Sequence, residues 1–199
     1  MSDYLEASIK NGSDKNYEYF SSFDECQKKP EPNQELILKT FKDMIEINPN
    51  IESIDKSICT DDNFLYRFLY VTKFNCSKAM DLLTAYLLYK KKTQIWQNIN
   101  IFDEKIQQAI SDGNPGLLRE RDRKGRKVIT FTAANWNTEK YSLKDIFRAL
   151  LLTLDKLLEN IENQALGFVV IVDWTSFTIK QSAHLSLTTL NRIIEGLQV

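Results

Sequence analysis

The sequence predicts a mixed fold, α+α/β, in which a helical unit leads into an α/β unit that is unfinished within the chain. Three observations predict it. Apolar residues recur at helical spacing in three consecutive segments between Pro32 and Trp96. A dense cluster of turn residues, Asp112-Gly113-Asn114-Pro115-Gly116, then breaks that pattern. Beyond it, Phe168-Val169-Val170-Ile171-Val172 forms a continuous apolar run, the signature of a parallel strand covered on both faces.

The elements follow in order. Residues 1–30 are polar and aperiodic and read as a disordered tail. Pro32 suits the first position of a helix, Leu36, Ile37, Phe41, Met44 and Ile45 recur along it, and Asn48-Pro49 stops it. Thr60 is placed to cap a second helix, with Asp61 and Asp62 favourable at its positive end and Phe64, Leu65, Phe68, Leu69 and Val71 as its apolar face. Asn75 is placed to cap a third, whose apolar side holds Ala79, Leu82, Leu83, Tyr86, Leu87 and Tyr89. Leu117-Leu118 and Val128-Ile129-Thr130-Phe131 flank Asp122-Arg123-Lys124-Gly125 and read as a hairpin, because glycine supplies positive φ in the turn. Tyr141-Ser142 precedes a strong helix with Ile146, Phe147, Leu150, Leu151, Leu154, Leu157 and Leu158 inward, and a last helix is expected from about Thr188 to Leu197. Strand, helix, strand is a βαβ unit, for which a right-handed crossover is the rule. With two or three strands to pair with it, the apolar run is left near an edge, where it is an aggregation hazard. The α/β unit is therefore expected to stop midway.

Composition narrows the function. The chain has 199 residues with 26 Lys+Arg against 27 Asp+Glu, a net charge of -1, which argues against a general nucleic-acid binder. No apolar run reaches the roughly 18 residues of a membrane span, and Met1-Ser2-Asp3-Tyr4 does not open a secretory signal. Cys26, Cys59 and Cys76 are widely spaced and odd in number, as reduced cytoplasmic thiols are. His184 is the single histidine, too few for the usual metal centres. Gly-x-Gly-x-x-Gly, Walker and Gly-x-Ser-x-Gly patterns are all missing, so an α/β enzyme is disfavoured.

Several stretches in a fixed order carry a resemblance: Asp61-Asp62-Asn63-Phe64-Leu65-Tyr66-Arg67-Phe68-Leu69, Asp112 to Gly116, Asp122-Arg123-Lys124-Gly125-Arg126-Lys127-Val128, Ala133-Ala134-Asn135-Trp136, Gly167 to Trp174, and Ile194-Glu195-Gly196-Leu197-Gln198. Together, over roughly residues 33–199, the chain resembles the CRAL-TRIO family of lipid-transfer proteins, on the branch of the clavesins and the tocopherol and retinaldehyde carriers. The resemblance implies a helical CRAL-TRIO N-terminal domain at 31–110 and the first part of an α/β lipid-binding domain at 111–199. It implies a monomer that binds and transfers one hydrophobic lipid without a cofactor or covalent chemistry. It also implies a membrane partner, with phosphoinositide binding and peripheral association with endosomal or trans-Golgi membranes. The alternative is a truncated form that serves as an interaction module without a closed pocket.

By position in the family pattern, Phe131, Ala133, Phe147, Leu150, Leu154, Phe168, Val170 and Val172 are the candidates to line the lipid pocket, and ordinary core packing is the competing account of each. Two of the family's pocket positions often carry small polar side chains in the tocopherol carrier. Leucine there points to a different ligand or a smaller cavity. An apolar ligand gains about 25 cal/mol for each Å² taken out of water, so it needs a large preformed wall. For a headgroup or membrane surface the candidates are Arg67, Lys73, Arg123, Lys124 and Arg126. The last three belong to a stretch, Arg119 to Lys127, with six basic residues in nine, which also reads as a solvated turn offset by Glu120 and Asp122. Relatives commonly carry arginines where this chain has Tyr70 and Thr72, which weakens the headgroup reading; Lys73 lies about 100° from the second of them on a helix. Arg67 is expected in a semi-buried ion pair. Asp173 is expected to hold the loop after its strand, and Trp136 and Trp174 are expected in the core, with ligand or membrane contact as their other reading.

Overall fold

The computed structural model describes residues 32–51, 56, 59–93 and 99–197. The polar tail at 1–30, Cys26 and Trp96 lie outside them. The first helix, α1, spans Pro32–Ile47. Its inward stripe is Leu38, Phe41 and Ile45, with Ile37 and Met44 partly buried. Leu36 faces outward, 64% exposed, and Leu38 is buried in its stead, while the other four expected positions stay on the inward side. Next come α2, Asp62–Val71, and α3, Cys76–Lys92. Asp61, not Thr60, caps α2, because its carboxylate accepts the Asn63 amide at 2.9 Å. Asn75 caps α3 as expected, accepting the Lys78 amide at 3.0 Å. Helices α1–α3 enclose one core, which includes Phe41, Leu65, Leu69, Ala79 and Leu83, all fully buried. Val71, expected inward, is 69% exposed.

Helix α2 ends in a Schellman turn. The Phe74 amide donates to Leu69 O at 2.7 Å and the Lys73 amide to Tyr70 O at 3.1 Å. The turn puts Lys73 at φ 53 and Phe74 at φ 60. Lys73 stands where glycine usually stands, because a Cβ is disfavoured at left-handed φ. Lys73→Gly is therefore expected to raise stability by about 0.5–1 kcal/mol. The check is a higher urea midpoint at unchanged m-value; a lower midpoint would contradict the assignment.

A short helix that the sequence reading passed over, α4 (Glu104–Ser111), follows, capped by Asp103. Strands β1 (Gly116–Arg121) and β2 (Lys127–Thr132) form the expected hairpin, antiparallel with a bulge between Leu117 and Arg121. A 3₁₀ turn at Ala133–Asn135 leads to α5, Leu143–Leu157, which opens with a Ser142–Asp145 capping box. A second unexpected helix, α6 (Ile161–Leu166), ends at Gly167, whose φ of 75 turns the chain into β3, Phe168–Asp173. Then come α7, Ile179–Ser182, also unexpected, and α8, Leu187–Leu197.

The sheet has the order β1-β2-β3, with β3 parallel to β2. The pairs Ile129↔Val170 and Phe131↔Val172 place these four side chains on one face, against α5. The expectation that β3 is covered on both faces is corrected: Val170, Ile171 and Val172 are 42%, 47% and 48% exposed. The cause is topological. Among the described residues β3 has a neighbour on one side only, so its apolar side chains sit at an edge.

The α2 motif joins the helical unit to the α/β unit. Asn63 and Arg67, four residues apart, share one face of α2. Asn63 Nδ2 donates to Glu159 O at 3.1 Å, and Gln164 Nε2 donates back to Asn63 O at 3.0 Å. Arg67 pairs with Asp155 of α5 at 3.2 Å and lies over the Phe64 ring. Burial pushes the nearby Tyr86 hydroxyl up to about 12, with the Asp155 charge adding to it.

Candidate functional site

The face of β2 and β3 toward α5 does not pack to closure. A cavity of about 180 Å³ remains between this face, α5 and α8. Its wall is almost wholly apolar. β2 and β3 contribute Phe131, Val170 and Val172; α5 contributes Leu143, Ile146, Phe147 and Leu150; and α8 contributes Leu190 and Ile193. Trp136, Trp174 and Leu185 complete it at one end.

Helix α8 is held in place from outside. Tyr89 of α3 donates its hydroxyl to Arg192 O at 2.7 Å. Gly196 lies against the same ring, where a Cβ would come within 2.7 Å of Cζ. Asn114 closes the polar corner of the cavity. It is 1% exposed and pairs with Thr132 as a strand residue would, accepting its amide at 2.9 Å and donating to its carbonyl at 3.3 Å. Trp136 donates its indole N–H to Tyr141 O at 3.1 Å, so its polar atom is satisfied and its ring is free to serve as wall.

Six of the eight pocket candidates stand around this cavity: Phe131, Ala133, Phe147, Leu150, Val170 and Val172. Leu154 and Phe168 do not; both pack into the core beside Ile129 and Leu151. The reason is position along the elements. The cavity lies beside the C-terminal ends of β2 and β3 and the N-terminal half of α5. Leu154 is a turn further down α5, and Phe168 begins β3 opposite Lys127. Ligand sites of open α/β sheets gather at those same strand ends.

The sequence reading missed Asn114, Thr132, Leu143, Leu185, Leu190 and Ile193. The amphipathic pattern of α8 is the signal that would have supplied two of them. Trp136 is buried as expected, but Trp174 is 53% exposed and stacks edge-to-face on Phe177 at 5.0 Å. Trp174 follows β3, which is an edge strand among the described residues.

The buried Gln181 also escaped the sequence reading. Its Nε2 donates to Ala133 O at 2.7 Å and Trp136 O at 2.9 Å, while its Oε1 accepts the Thr178 amide at 2.8 Å. One side chain thus clamps α7 to the turn after β2. Thr175 lowers the Asp173 pKa, first through its side-chain hydrogen bond and then through its amide, which Asp173 accepts at 2.8 Å and which fixes the loop after β3.

The basic candidates are dispersed. Arg67 is committed to Asp155, as its expected ion pair. Lys73 is exposed but lies beyond the end of α2, so the helical angle relating it to Thr72 does not apply. Arg126 is folded back onto Asp122, its Nε 2.8 Å and its Nη2 2.6 Å from Oδ2. Arg123 and Lys124 are exposed at the hairpin tip.

Arg126 holds the Asp122 carboxyl below its ordinary value, and the amides of Arg126 and Lys124 add to this. A carboxyl with a depressed folded-state pKa gives stability that is fully present above its unfolded value of about 3.9 and is lost as pH falls through the folded value. The Lys124 and Arg126 amide resonances are accordingly expected to shift only below about pH 4. Asp122→Asn abolishes that shift, and an unchanged shift in the variant would contradict the assignment.

Among the described residues no helix is long and apolar enough to cross a membrane. Residues 111–199 match the CRAL/TRIO domain model. The chain is 40% identical over 162 residues to clavesin-1 of Xenopus laevis and to clavesin-2 of Homo sapiens, covering 81% of this chain and 48% of each relative. It is equally similar to clavesin-1 of Mus musculus, of which it covers 45%. The chain therefore spans about half the length of the relatives it matches. Its described fold, helices followed by a small mixed sheet, agrees with the same assignment. The segment 111–199 is thus assigned to the CRAL/TRIO domain family, and the chain around it is similar to the clavesins.

Proposed function

We propose that this chain binds an apolar lipid non-covalently in the cavity between α5, the β2–β3 face and α8, as part of a lipid-transfer activity. The observation that carries the reading is the wall itself. A cavity with almost no polar surface offers no group to polarise or protonate a substrate, but it offers what hydrocarbon needs. Tightly packed cores leave few voids of this size, so the cavity calls for an occupant. On this reading residues 31–110 brace the α/β segment 111–199 through Asn63 and Arg67, and the segment 111–199 holds the ligand.

The family likeness extends the proposal to a phosphoinositide-bearing membrane, endosomal or trans-Golgi, approached from the cytoplasm. Of the basic candidates, Lys73, Arg123 and Lys124 have the exposure to meet an anionic headgroup. Arg67 and Arg126 are occupied within the fold.

The test is a titration with a short-chain fluorescent phospholipid analogue that dissolves as monomers. Saturation at one analogue per chain is expected. A chain that takes up none overturns the reading.

A further inference from the structure

The motif Ile194 to Gln198 sets a glycine inside α8, where glycine is among the least favoured helix residues. Its backbone does not ask for one. Positive φ falls at Gly113, Gly125 and Gly167, and Gly196 is not among them. Space asks for it instead. A Cβ at residue 196 would come within 2.7 Å of Tyr89 Cζ and still nearer the Tyr89 hydroxyl. Tyr89 stands in the last turn of α3 and is 7% exposed, so its ring has no room to swing aside.

The same glycine opens the hydrogen bond. Side chains on a helix lean over the turn before them, so a side chain at 196 would cover the carbonyl of Arg192. With glycine there, the Tyr89 hydroxyl reaches Arg192 O at 2.7 Å. Tyr89 belongs to the helical unit and Arg192 to the α/β unit, 103 residues away. From Leu187 to Gly196 no residue of α8 is buried, in contrast to the packed stripe of α5. The Tyr89 contact is therefore a main support of this helix. α8 in turn carries Leu190 and Ile193, which form its share of the cavity wall.

We propose that Tyr89 and Gly196 together form a spacer that seats α8 and so sets the girth of the acyl chain the cavity accepts. The inference rests on the cavity reading above and deepens it, naming two positioning residues that do not themselves line the cavity. The steric logic is a sum. A larger side chain at 196 overfills the contact and a smaller one at 89 underfills it, and each moves the wall that Leu190 and Ile193 present. An apolar pocket discriminates among ligands by the fit of single methylene groups, so a small shift of one wall changes its preference.

The test uses the full chain in two measurements. Hydrogen exchange of the Ile193 and Ile194 amides in the ligand-free protein reads the seat itself. Gly196→Ala is expected to speed this exchange about tenfold. Helix propensity alone predicts the opposite sign, because alanine is the better helix former. Combining Gly196→Ala with Tyr89→Leu is expected to return exchange to within about threefold of wild type. The second measurement is uptake of two fluorescent phospholipid analogues that dissolve as monomers, one with a straight and one with a branched short acyl chain. The ratio of their affinities is expected to move about fivefold in opposite directions for Gly196→Ala and Tyr89→Leu, and to return in the pair. Unchanged or slower exchange in Gly196→Ala, or a pair no closer to wild type than the single variants, overturns the seat. A ratio that stays at its wild-type value, or moves the same way in both single variants, overturns the control of girth and leaves the cavity reading standing. A wild-type chain that takes up neither analogue, while exchange responds as expected, overturns the cavity reading and the control of girth with it, and leaves the seat standing.

Discussion

Replacing Phe147 with alanine is expected to lower the unfolding free energy by about 3–5 kcal/mol. Phe147 is 1% exposed and belongs to two structures at once. It packs with Ile129, Leu150 and Leu151 in the core and forms part of the cavity wall. Removing the ring deletes its transfer free energy and enlarges a void that the neighbours do not fill. Since domains are stable by about 5–15 kcal/mol, this one change removes a large share of the margin. Phe147→Leu keeps most of the volume and is expected to cost about 1–2 kcal/mol, so the pair of variants gives a gradient even if the alanine form is unfolded. Urea denaturation at constant m-value is the check. A loss below 1 kcal/mol for the alanine form would show that the α5–sheet packing described here is wrong.

The second large effect is on ligand. Val172→Asp is expected to weaken uptake of the soluble lipid analogue by more than about 30-fold, roughly 2 kcal/mol, because a carboxylate in an apolar wall must be desolvated when the ligand arrives. Val172 is 48% exposed, so solvent hydrates the new charge and the fold loses little stability. A variant that keeps both the fold and the wild-type affinity would place the ligand elsewhere. An equal substitution at Val169, which does not line the cavity, serves as control.

Long, strongly periodic segments were readable in the sequence, and short or long-range features were not. Helices α1, α3 and α5, with 16, 17 and 15 residues, repeat their apolar spacing over several turns. Helices α4, α6 and α7, with 8, 6 and 4 residues, complete too few turns for a period to emerge, and they stand out only by their caps, Asp103, Asn160 and Thr178. The slip from Thr60 to Asp61 is of the same kind, since adjacent residues are both good caps.

For the site, strand alternation and the i, i+3 stripe of α5 gathered Phe131, Val170, Val172, Phe147 and Leu150 on one side. Period alone does not say where along that side the packing opens, so Leu154 and Phe168 were grouped with them. Gln181 and Asn63 act through partners 48 and 101 residues away, and no local pattern carries such contacts. The exposure of Val170–Val172 was foreshadowed by the shortage of strands, although an apolar run taken by itself reads as buried.

The most direct test of the central claim, that the cavity holds an apolar lipid, is native mass spectrometry of the full chain after incubation with vesicles and removal of free lipid. The account predicts a wild-type species carrying one lipid per chain, and a Val172→Asp species that is folded and bare. A folded wild-type chain that stays bare, or a lipid adduct that Val172→Asp leaves intact, would contradict it.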